Sequence, residues 1–387
     1  MSHGLYADQH SFEELASSLL TDERTCSFGK LHVITIGQNQ SEDTWSAIWD
    51  KAERIADSIL HQRLGRTDAC LEIKPGQYLL LFPGLSEEEG IIKATAIGRE
   101  IRERLFGQTL ATLEVKVQMM PLARLKGRER VAKAETMHHV LDSHDKQAGI
   151  HFDVLFQPLW SPRRQEIIGN LARIRRVFGD RELFGRAILF GGDSDPLALE
   201  ANACLRRAAA RISHPCGMLV LPQFINEHAL KDSGEMAVDL HSLAKTLPGT
   251  LVVELSGDIV SLPRVALRGL VGMAREAGAR VAVRSIPDAE SAHMFKSNGI
   301  DFISVNEADI RALGLTPSAT HALFTVAAHE VRGSGLDIWL WNAIAPQDIK
   351  RAANLGFALF SGPPVGEQKS VPASPHSLPA NQIFRGG

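Results

Sequence analysis

The spacing of hydrophobic residues divides the chain into two parts. In the first part, an alternating strand-like run, Leu31–Gly37, precedes a segment with apolar residues at helical spacing, Ser46–Leu60. Two further apolar runs flank Lys74-Pro75-Gly76-Gln77, where proline and glycine favour a tight turn. This order of strands, hairpin and helices predicts an α+β domain over residues 1–140.

From residue 141 onward, short apolar runs alternate with amphipathic helices. The strand-like runs are FDVLFQP, MLVLPQF, LVVELSG, RVAVRSI, DFISVN, DIWLWNA and FALFSGP. Buried strands separated by helices predict parallel βα units, and about eight such units favour a closed barrel over an open sheet. We therefore predict a TIM-like (β/α) barrel over residues 141–366. Proline, serine and glycine dominate afterwards, which predicts a flexible tail over residues 367–387.

Composition narrows the functional classes without selecting one. The chain has 387 residues, 44% hydrophobic and 22% charged, with a net charge of -3. This balance gives no support for a surface that binds nucleic acid. The four cysteines form no CxxC pair, which argues against disulfides and a zinc site and favours a reducing compartment. We expect a cytoplasmic protein without direct membrane insertion, because no secretion signal or membrane-spanning segment is visible.

The hairpin sequence resembles the diguanylate cyclase (GGDEF) domain. In that family an Asp shortly before the hairpin leads into a Gly-Gly-Asp-Glu-Phe turn, and here Asp68 and Lys74–Tyr78 take those places. The resemblance implies that the turn glycines approach GTP phosphates and that its carboxylates hold metal. Pro75 removes an amide donor, and Gln77 cannot replace a metal-binding carboxylate. Because Gly65 also stands at the inhibitory-site arginine position, we expect a degenerate GGDEF-like domain without cyclase activity.

The second part resembles an EAL domain, the cyclic-di-GMP phosphodiesterase barrel. FQPLWSPRRQEIIGNLARIRR parallels the opening of that family, LVVELSG parallels the strand with a second metal glutamate, and LGFALFSGPPVGE parallels the closing segment. The retained family positions are Gln157, Pro158, Gly169, Ala172, Arg175 and Glu254. The resemblance implies that Gln157, Arg175 and Glu254 are remnants of a nucleotide site.

The positions that carry catalysis in the EAL family have changed in this chain. Leu171 stands at the signature glutamate, and Arg284 stands in the segment that carries a carboxylate pair. Ser304 replaces the catalytic lysine, Asn306 the following aspartate, and Trp341 a glutamate. A metal-dependent phosphodiesterase needs several carboxylates around its cations. We therefore expect no catalytic residue, no bound metal and no cofactor.

Other features have simpler interpretations than a binding site. Glu254 is expected to form an ion pair with Arg284 or Arg175 at the barrel mouth. The segment Phe190–Pro196 lacks the lysine of a phosphate-binding loop and is too short for an EF-hand, so we expect a plain turn. The histidines of the connecting segment, His138, His139, His144 and His151, lack ligand partners at metal spacing.

The leading functional hypothesis is a catalytically inactive GGDEF–EAL-type signalling protein that regulates or scaffolds by binding another protein. Trp341 and Arg284 at the mouth suggest interface anchors, and a homodimer through the barrel is a further expectation. A non-catalytic cyclic-di-GMP receptor is the alternative. Cyclic-di-GMP is not expected as a ligand, because the charged groups around its phosphates have been lost. A barrel enzyme with unrelated chemistry ranks last, since no acid–base pair is apparent.

Overall fold

The computed structural model describes residues 5–6, 11–12, 14–16, 31–38, 45–106, 113–120, 151–178, 181–189, 197–231, 233–313 and 316–384. The chain forms two units. The first is Met1–His151 together with Arg186–Gly192, and the second is Phe152–Gly185 together with Asp193–Gly387. The domain boundary predicted at residue 140 lies outside the described residues.

The first unit is built on a five-stranded sheet with the order β1-β3-β4-β2-β5. Its strands are β1 Leu5–Tyr6, β2 Leu31–Gln38, β3 Ala69–Lys74, β4 Gln77–Leu81 and β5 Leu113–Met120. Its long helices are α1 Trp45–Arg63 and α2 Glu87–Phe106. Apolar residues of both helices pack against one sheet face, which contributes Ile34, Tyr78 and Leu80 to a fully buried core. The α+β prediction for this unit is confirmed.

The predicted tight turn joins β3 and β4. The two strands are antiparallel, with Lys74 opposite Gln77 and Glu72 opposite Tyr78. Gly76 has a φ of 80°, a backbone conformation that glycine adopts without steric cost. The Gly76 carbonyl also accepts a 2.7 Å hydrogen bond from the Ile36 amide of β2. The neighbouring strand β2 therefore holds the turn against the sheet.

The second unit is an eight-stranded closed barrel surrounded by helices. The strands of the barrel are β6 His151–Ser161, β7 Glu166–Phe178, β9 Gly217–Ile225, β10 Gly249–Gly257, β11 Arg280–Arg284, β12 Phe302–Asn306, β13 Asp337–Trp341 and β14 Leu359–Phe360. The outlying strand β8, Arg181–Phe184, pairs with β7. The helices are α3 Leu197–Ala210, α4 Glu227–Lys231, α5 Ser233–Thr246, α6 Arg264–Glu276, α7 Ala289–Ser297, α8 Glu307–Ala312, α9 Pro317–Ser334 and α10 Pro346–Asn354. The predicted barrel is confirmed.

One barrel strand does not follow the predicted parallel pattern. β6 pairs antiparallel with β14, whereas the other seven strands of the barrel run parallel to one another. A tight turn over residues 162–165 links β6 directly to β7, and so short a connection requires antiparallel strands. β7 then closes the barrel against β9, with Gly169 opposite Met218. A Cβ on Gly169 would lie 2.1 Å from the Met218 carbonyl oxygen, so only glycine permits this approach.

The barrel interior is filled by apolar side chains from all around the sheet. Its buried members are Leu159, Leu171, Val220, Val252, Ala282, Phe302, Trp339, Trp341 and Leu359. Phe302 and Trp339 stack with ring centroids 4.0 Å apart, and Trp341 lies 5.4 Å beyond Trp339. An aromatic column therefore runs along the barrel axis towards the end at which the parallel strands finish.

The segment predicted as a flexible tail lies against the barrel. Lys369 exchanges two backbone hydrogen bonds with Phe156. β15 His376–Ser377 pairs with the start of β7, and a last helical turn follows, α11 Ala380–Ile383. The Trp160 Nε1 group donates to the Leu378 carbonyl at 2.8 Å. The composition-based prediction is wrong for residues 369–384, because partners from β6 and β7 satisfy the backbone of the segment.

Candidate functional site

The strand ends of the barrel bring several of the altered positions together. Glu254 lies in β10, Ser304 in β12 and Trp341 at the end of β13. The three side chains are at most 2% exposed and point into the same space. The three positions therefore lie together inside the barrel.

Glu254 is held by two hydrogen bonds to the same carboxylate oxygen. Ser304 Oγ donates to Oε1 at 2.5 Å, and Trp341 Nε1 donates to it at 2.6 Å. Both donors stand where the EAL resemblance places charged catalytic groups. Glu254, which the family pattern retains, therefore accepts hydrogen bonds from Ser304 and Trp341, which stand at the positions of a lysine and a glutamate in that pattern.

Burial raises the pKa of the Glu254 carboxyl above its ordinary value. The hydrogen bonds from Ser304 and Trp341 act in the opposite direction, as does the positive charge of Arg284, while Asp309 adds to the increase. Because desolvation is the largest contribution, the interior of the barrel favours the protonated form of Glu254.

Arg284 has a partner other than the one predicted. Its Nε and Nη2 donate to the two carboxylate oxygens of Asp309, both at 2.8 Å. Asp309 lies in the first turn of α8, just after β12. The predicted ion pair of Glu254 with Arg284 or Arg175 is therefore wrong. Sequence spacing gave no indication of Asp309, which had the pattern of an ordinary acidic residue near a helix N-terminus.

Leu171 contributes to the apolar filling of the barrel at the signature position. It is 4% exposed, and it belongs to the same buried cluster as Trp339 and Trp341. Trp341 itself is 1% exposed. It therefore cannot be the surface anchor that the sequence suggested, because its ring is committed to the interior.

Asn306 and Asn342 form a polar layer next to this cluster. Asn306 caps α8 by accepting the Ala308 amide at 2.9 Å, and its Oδ1 also accepts Asn342 Nδ2 at 3.1 Å. Asn342 has a φ of 56°, in the left-handed region. Asn306 thus stabilises a helix start at the position where the EAL resemblance places an aspartate.

Gln157 and Arg175, the other two candidate remnants of a nucleotide site, have protein partners. Gln157 Nε2 donates to the carbonyl oxygens of Gly362 and Gly366, which attaches β6 to the segment after β14. Arg175 bonds Asp153 at 2.7 Å and Glu182 at 2.6 Å. Both side chains therefore stabilise the barrel and its β7–β8 extension in this structure.

The side chains at this end of the barrel do not fit a two-metal centre. A hard divalent cation needs a shell of oxygen ligands. Here Glu254 is occupied by two hydrogen-bond donors, Asp309 is paired with Arg284, and Leu171 supplies no oxygen. Among the described residues, no group of three or more His, Cys, Asp or Glu side chains could hold a metal ion.

The cyclase-like hairpin of the first unit likewise has structural contacts. Gln77 is buried and its Nε2 lies 3.5 Å from Thr35 Oγ1 of β2. Asp68, at the position of the family aspartate, accepts the Gly65 amide at 2.7 Å and forms a 2.6 Å ion pair with Lys93. Asp68 therefore connects α2 to the start of β3, the first strand of the hairpin.

The Phe190–Pro196 segment and three histidines of the connecting segment have no described structural position. The segment Phe190–Pro196 lies outside the described residues. The same holds for His138, His139 and His144, and for the side chain of His151. Their interpretations remain predictions.

The raised pKa of Glu254 predicts how stability changes with pH. A carboxyl whose folded-state pKa is raised contributes stability that is complete below its unfolded pKa, about 4.3, and that is lost as pH rises through the folded value. Glu254→Gln removes this titration and preserves an acceptor for Ser304 and Trp341. We expect the free energy of unfolding of Glu254→Gln to improve relative to the wild type as pH rises from about 4 to about 8.

Urea unfolding of both proteins across this pH range measures the difference. Glu276→Gln, which removes an exposed carboxylate from α6, is the matched control. A difference between the wild type and Glu254→Gln that stays constant with pH, or that follows the control, would contradict the assigned role of burial.

Comparisons with known proteins identify the fold. No family model and no curated protein matches the chain. Among solved structures, the chain is similar to Vibrio cholerae LapD S helix-GGDEF-EAL bound to c-di-GMP, with a TM-score of 0.51, 11% identity, and coverage of 94% of this chain and 95% of that chain. Bacillus subtilis YkuI, with an EAL domain and in complex with c-di-GMP and calcium, matches at a TM-score of 0.44 and 14% identity over 60% of this chain and 58% of that chain. The chain has the fold of a GGDEF–EAL tandem.

One prediction about ligands is overturned by this comparison. From the sequence, cyclic-di-GMP is not expected as a ligand, because the charged groups around its phosphates have changed. A solved structure that matches over 94% of this chain contains c-di-GMP. The loss of those groups is therefore not sufficient reason to exclude the nucleotide.

No helix among the described residues is long and apolar enough to span a bilayer.

Proposed function

We propose that this chain is a catalytically inactive GGDEF–EAL protein that takes part in cyclic-di-GMP signalling by binding rather than by turnover. The observation that carries the proposal is the hydrogen-bond network of Glu254. Ser304 and Trp341 both donate to this carboxylate inside the barrel, where a phosphodiesterase would need it to face a cation.

The charges around Glu254 support the absence of hydrolysis. Activation of water by metal requires a cation held by several oxygen ligands. Arg284 brings a positive charge into this end of the barrel, and the nearest acid, Asp309, neutralises it through a two-pronged ion pair. This arrangement opposes the binding of a cation, because both carboxylate oxygens of Asp309 already accept hydrogen bonds from Arg284.

The first unit supports the absence of cyclase activity in the same way. Pro75 lacks the amide that a phosphate-binding turn would offer, and Gln77 is buried beside β2. The Asp68 carboxylate already accepts the Gly65 amide and pairs with Lys93. The hairpin thus preserves the geometry of its fold and has replaced the groups that would bind a nucleoside triphosphate and its metal.

Two modes of action by binding are compatible with an inactive barrel. In the first, the protein regulates or scaffolds by contacting another protein. In the second, it is a receptor that binds cyclic-di-GMP without hydrolysing it. The second candidate is supported by the whole-chain fold match, which was solved bound to c-di-GMP.

Calorimetry and product analysis on the full chain together test the proposal. Purified protein is titrated with cyclic-di-GMP in the presence of Mg²⁺ or Mn²⁺, and the same mixtures are examined by chromatography for the linear dinucleotide. Incubation with GTP tests the cyclase reaction. We expect no product beyond a protein-free control in either assay.

The binding result separates the two modes. Binding without product favours the receptor, and absence of both binding and product favours a protein-binding regulator. Formation of the linear dinucleotide that is abolished in Glu254→Gln would overturn the proposal.

A further inference from the structure

The barrel has a cavity at the end opposite Glu254, where the parallel strands begin. Its volume is about 920 Å³. The walls are formed by the β6–β7 turn, the first residues of β9, β10, β11 and β13, and the end of α10. A cavity of this size is in the range that accommodates a small organic molecule. It is separate from the candidate site described above.

The lowest layer of the barrel is polar on its inner face. Thr250, Arg280 and Asp337 each stand two residues before an inward-facing residue of the same strand, namely Val252, Ala282 and Trp339. Residues two apart in a strand share a face, and all three of the earlier residues line the cavity. Barrel interiors are usually filled at this level by branched apolar side chains. Here the filling stops at Phe302 and Trp339, which leaves an open space below them.

Arg280 is placed for recognition by an aromatic contact. Its Cζ lies 4.0 Å from the centroid of the Phe302 ring, and Phe302 in turn stacks on Trp339. Arg280 is an exposed residue and lines the cavity. A guanidinium ordered in this way can bind an acidic group with two parallel hydrogen bonds, and its planar face can stack on a ring.

Two further arginines border the same cavity. Arg163 and Arg164 lie in the β6–β7 turn, which is fixed by a 2.8 Å bond from the Gln165 amide to the Ser161 carbonyl. The Leu378 amide donates to the Gln165 carbonyl at 2.8 Å, so the C-terminal segment also supports the turn. In the described part of the chain, none of the three lining arginines forms an ion pair.

The remaining lining residues define the character of the ligand. Glu166 and Asp337 contribute two carboxylates against the three guanidinium groups, so the balance of charge is positive. Ile168, Met218 and Leu359 supply apolar surface beside Phe302. A positive rim over an apolar and aromatic floor suits a molecule that is itself flat, apolar and acidic.

We propose that this cavity is a binding site for a small aromatic anion, whose acidic group pairs with the lining arginines and whose ring stacks on the Arg280 guanidinium. The site does not depend on the state of Glu254 or on cyclic-di-GMP.

Fluorescence titration of the full chain with 1-anilinonaphthalene-8-sulfonate tests the site, because this probe carries a sulfonate on a flat naphthalene ring. We expect saturable binding with a Kd below about 100 μM. Arg280→Gln should weaken it by at least about tenfold, the loss of one charge-assisted contact. Arg280→Lys should also weaken it, since lysine keeps the charge and lacks the planar face. Naphthalene-2-sulfonate should displace the probe, and uncharged 2-naphthol should not.

Arg264→Gln is the matched control, because α6 begins where β10 ends and Arg264 is exposed at the opposite end of the barrel. It should leave binding unchanged. If Arg280→Gln does not fold, as judged by circular dichroism, the surface variant Arg163→Gln/Arg164→Gln replaces it, again with weaker binding expected. No saturable binding by the wild type, equal binding by the arginine variants, or equal displacement by 2-naphthol would overturn the proposal.

Discussion

Lys93→Met is expected to lower the free energy of unfolding of the first unit by about 3–5 kcal/mol, the range for breaking one side of a buried ion pair. Lys93 Nζ lies 2.6 Å from Asp68 Oδ2, with side-chain exposures of 10% and 5%. Methionine retains much of the length of the lysine side chain, so the change isolates the charge. The Asp68 carboxylate would retain the Gly65 amide as a donor, which cannot balance a full negative charge away from water.

Urea unfolding of the full chain measures this effect, and the free energy is taken from the unfolding transition of the first unit. Arg63→Met is the matched control, since Arg63 pairs with Glu100 at 2.6 Å and is 56% exposed. An exposed pair contributes about 0–1 kcal/mol. The double variant Lys93→Met/Asp68→Asn should recover part of the lost stability, because it removes the isolated charge. A loss in Lys93→Met no larger than that in Arg63→Met would contradict the role given to this pair.

Trp341→Ala is expected to destabilise the barrel by about 3–5 kcal/mol, as for other large-to-small changes in a packed core. The ring is 1% exposed and lies 5.4 Å from the ring of Trp339. The change opens a cavity next to Leu171 and also removes one of the two donors to Glu254. Both losses occur in the same buried cluster, so they act on the same unfolding transition.

Trp341→Phe separates the two contributions. Phenylalanine restores most of the apolar volume but has no N–H group, so the expected loss is about 1–3 kcal/mol, the range for leaving a buried polar group with one partner fewer. Thermal and urea unfolding of the two variants give the comparison. Equal losses in the Ala and Phe variants would show that packing is unimportant here and would contradict this account of the barrel interior.

The local features of the fold were predictable because their causes are local. Proline and glycine between two apolar runs were sufficient for the β3–β4 hairpin, and the alternation of strands with helices was sufficient for the barrel. The antiparallel β6 was missed, although its short link to β7 was visible. The packing of the C-terminal segment against the barrel was not predicted, because its composition shows only that the segment has few apolar residues. It does not show that Trp160 and Asn170 supply hydrogen-bond partners for the backbone of that segment.

The contacts of the candidate site were not predictable because they join distant strands. Ser304 is 50 residues from Glu254 in sequence, and Trp341 is 87 residues from it. The resemblance placed all three at one end of the barrel but could not show which groups would bond. An ion pair with Arg284 was the simpler expectation from charge alone. The structure satisfies that arginine with Asp309 instead, 25 residues away.

The central claim is that Glu254 is a hydrogen-bond acceptor inside the barrel and holds no catalytic metal. Electron paramagnetic resonance of Mn²⁺ tests it directly, because the signal of the aqueous ion decreases when the ion binds to protein. On this account, an excess of the purified full chain leaves the Mn²⁺ signal equal to that of buffer, and Glu254→Gln gives the same result. A loss of signal with the wild type that Glu254→Gln restores would contradict the account.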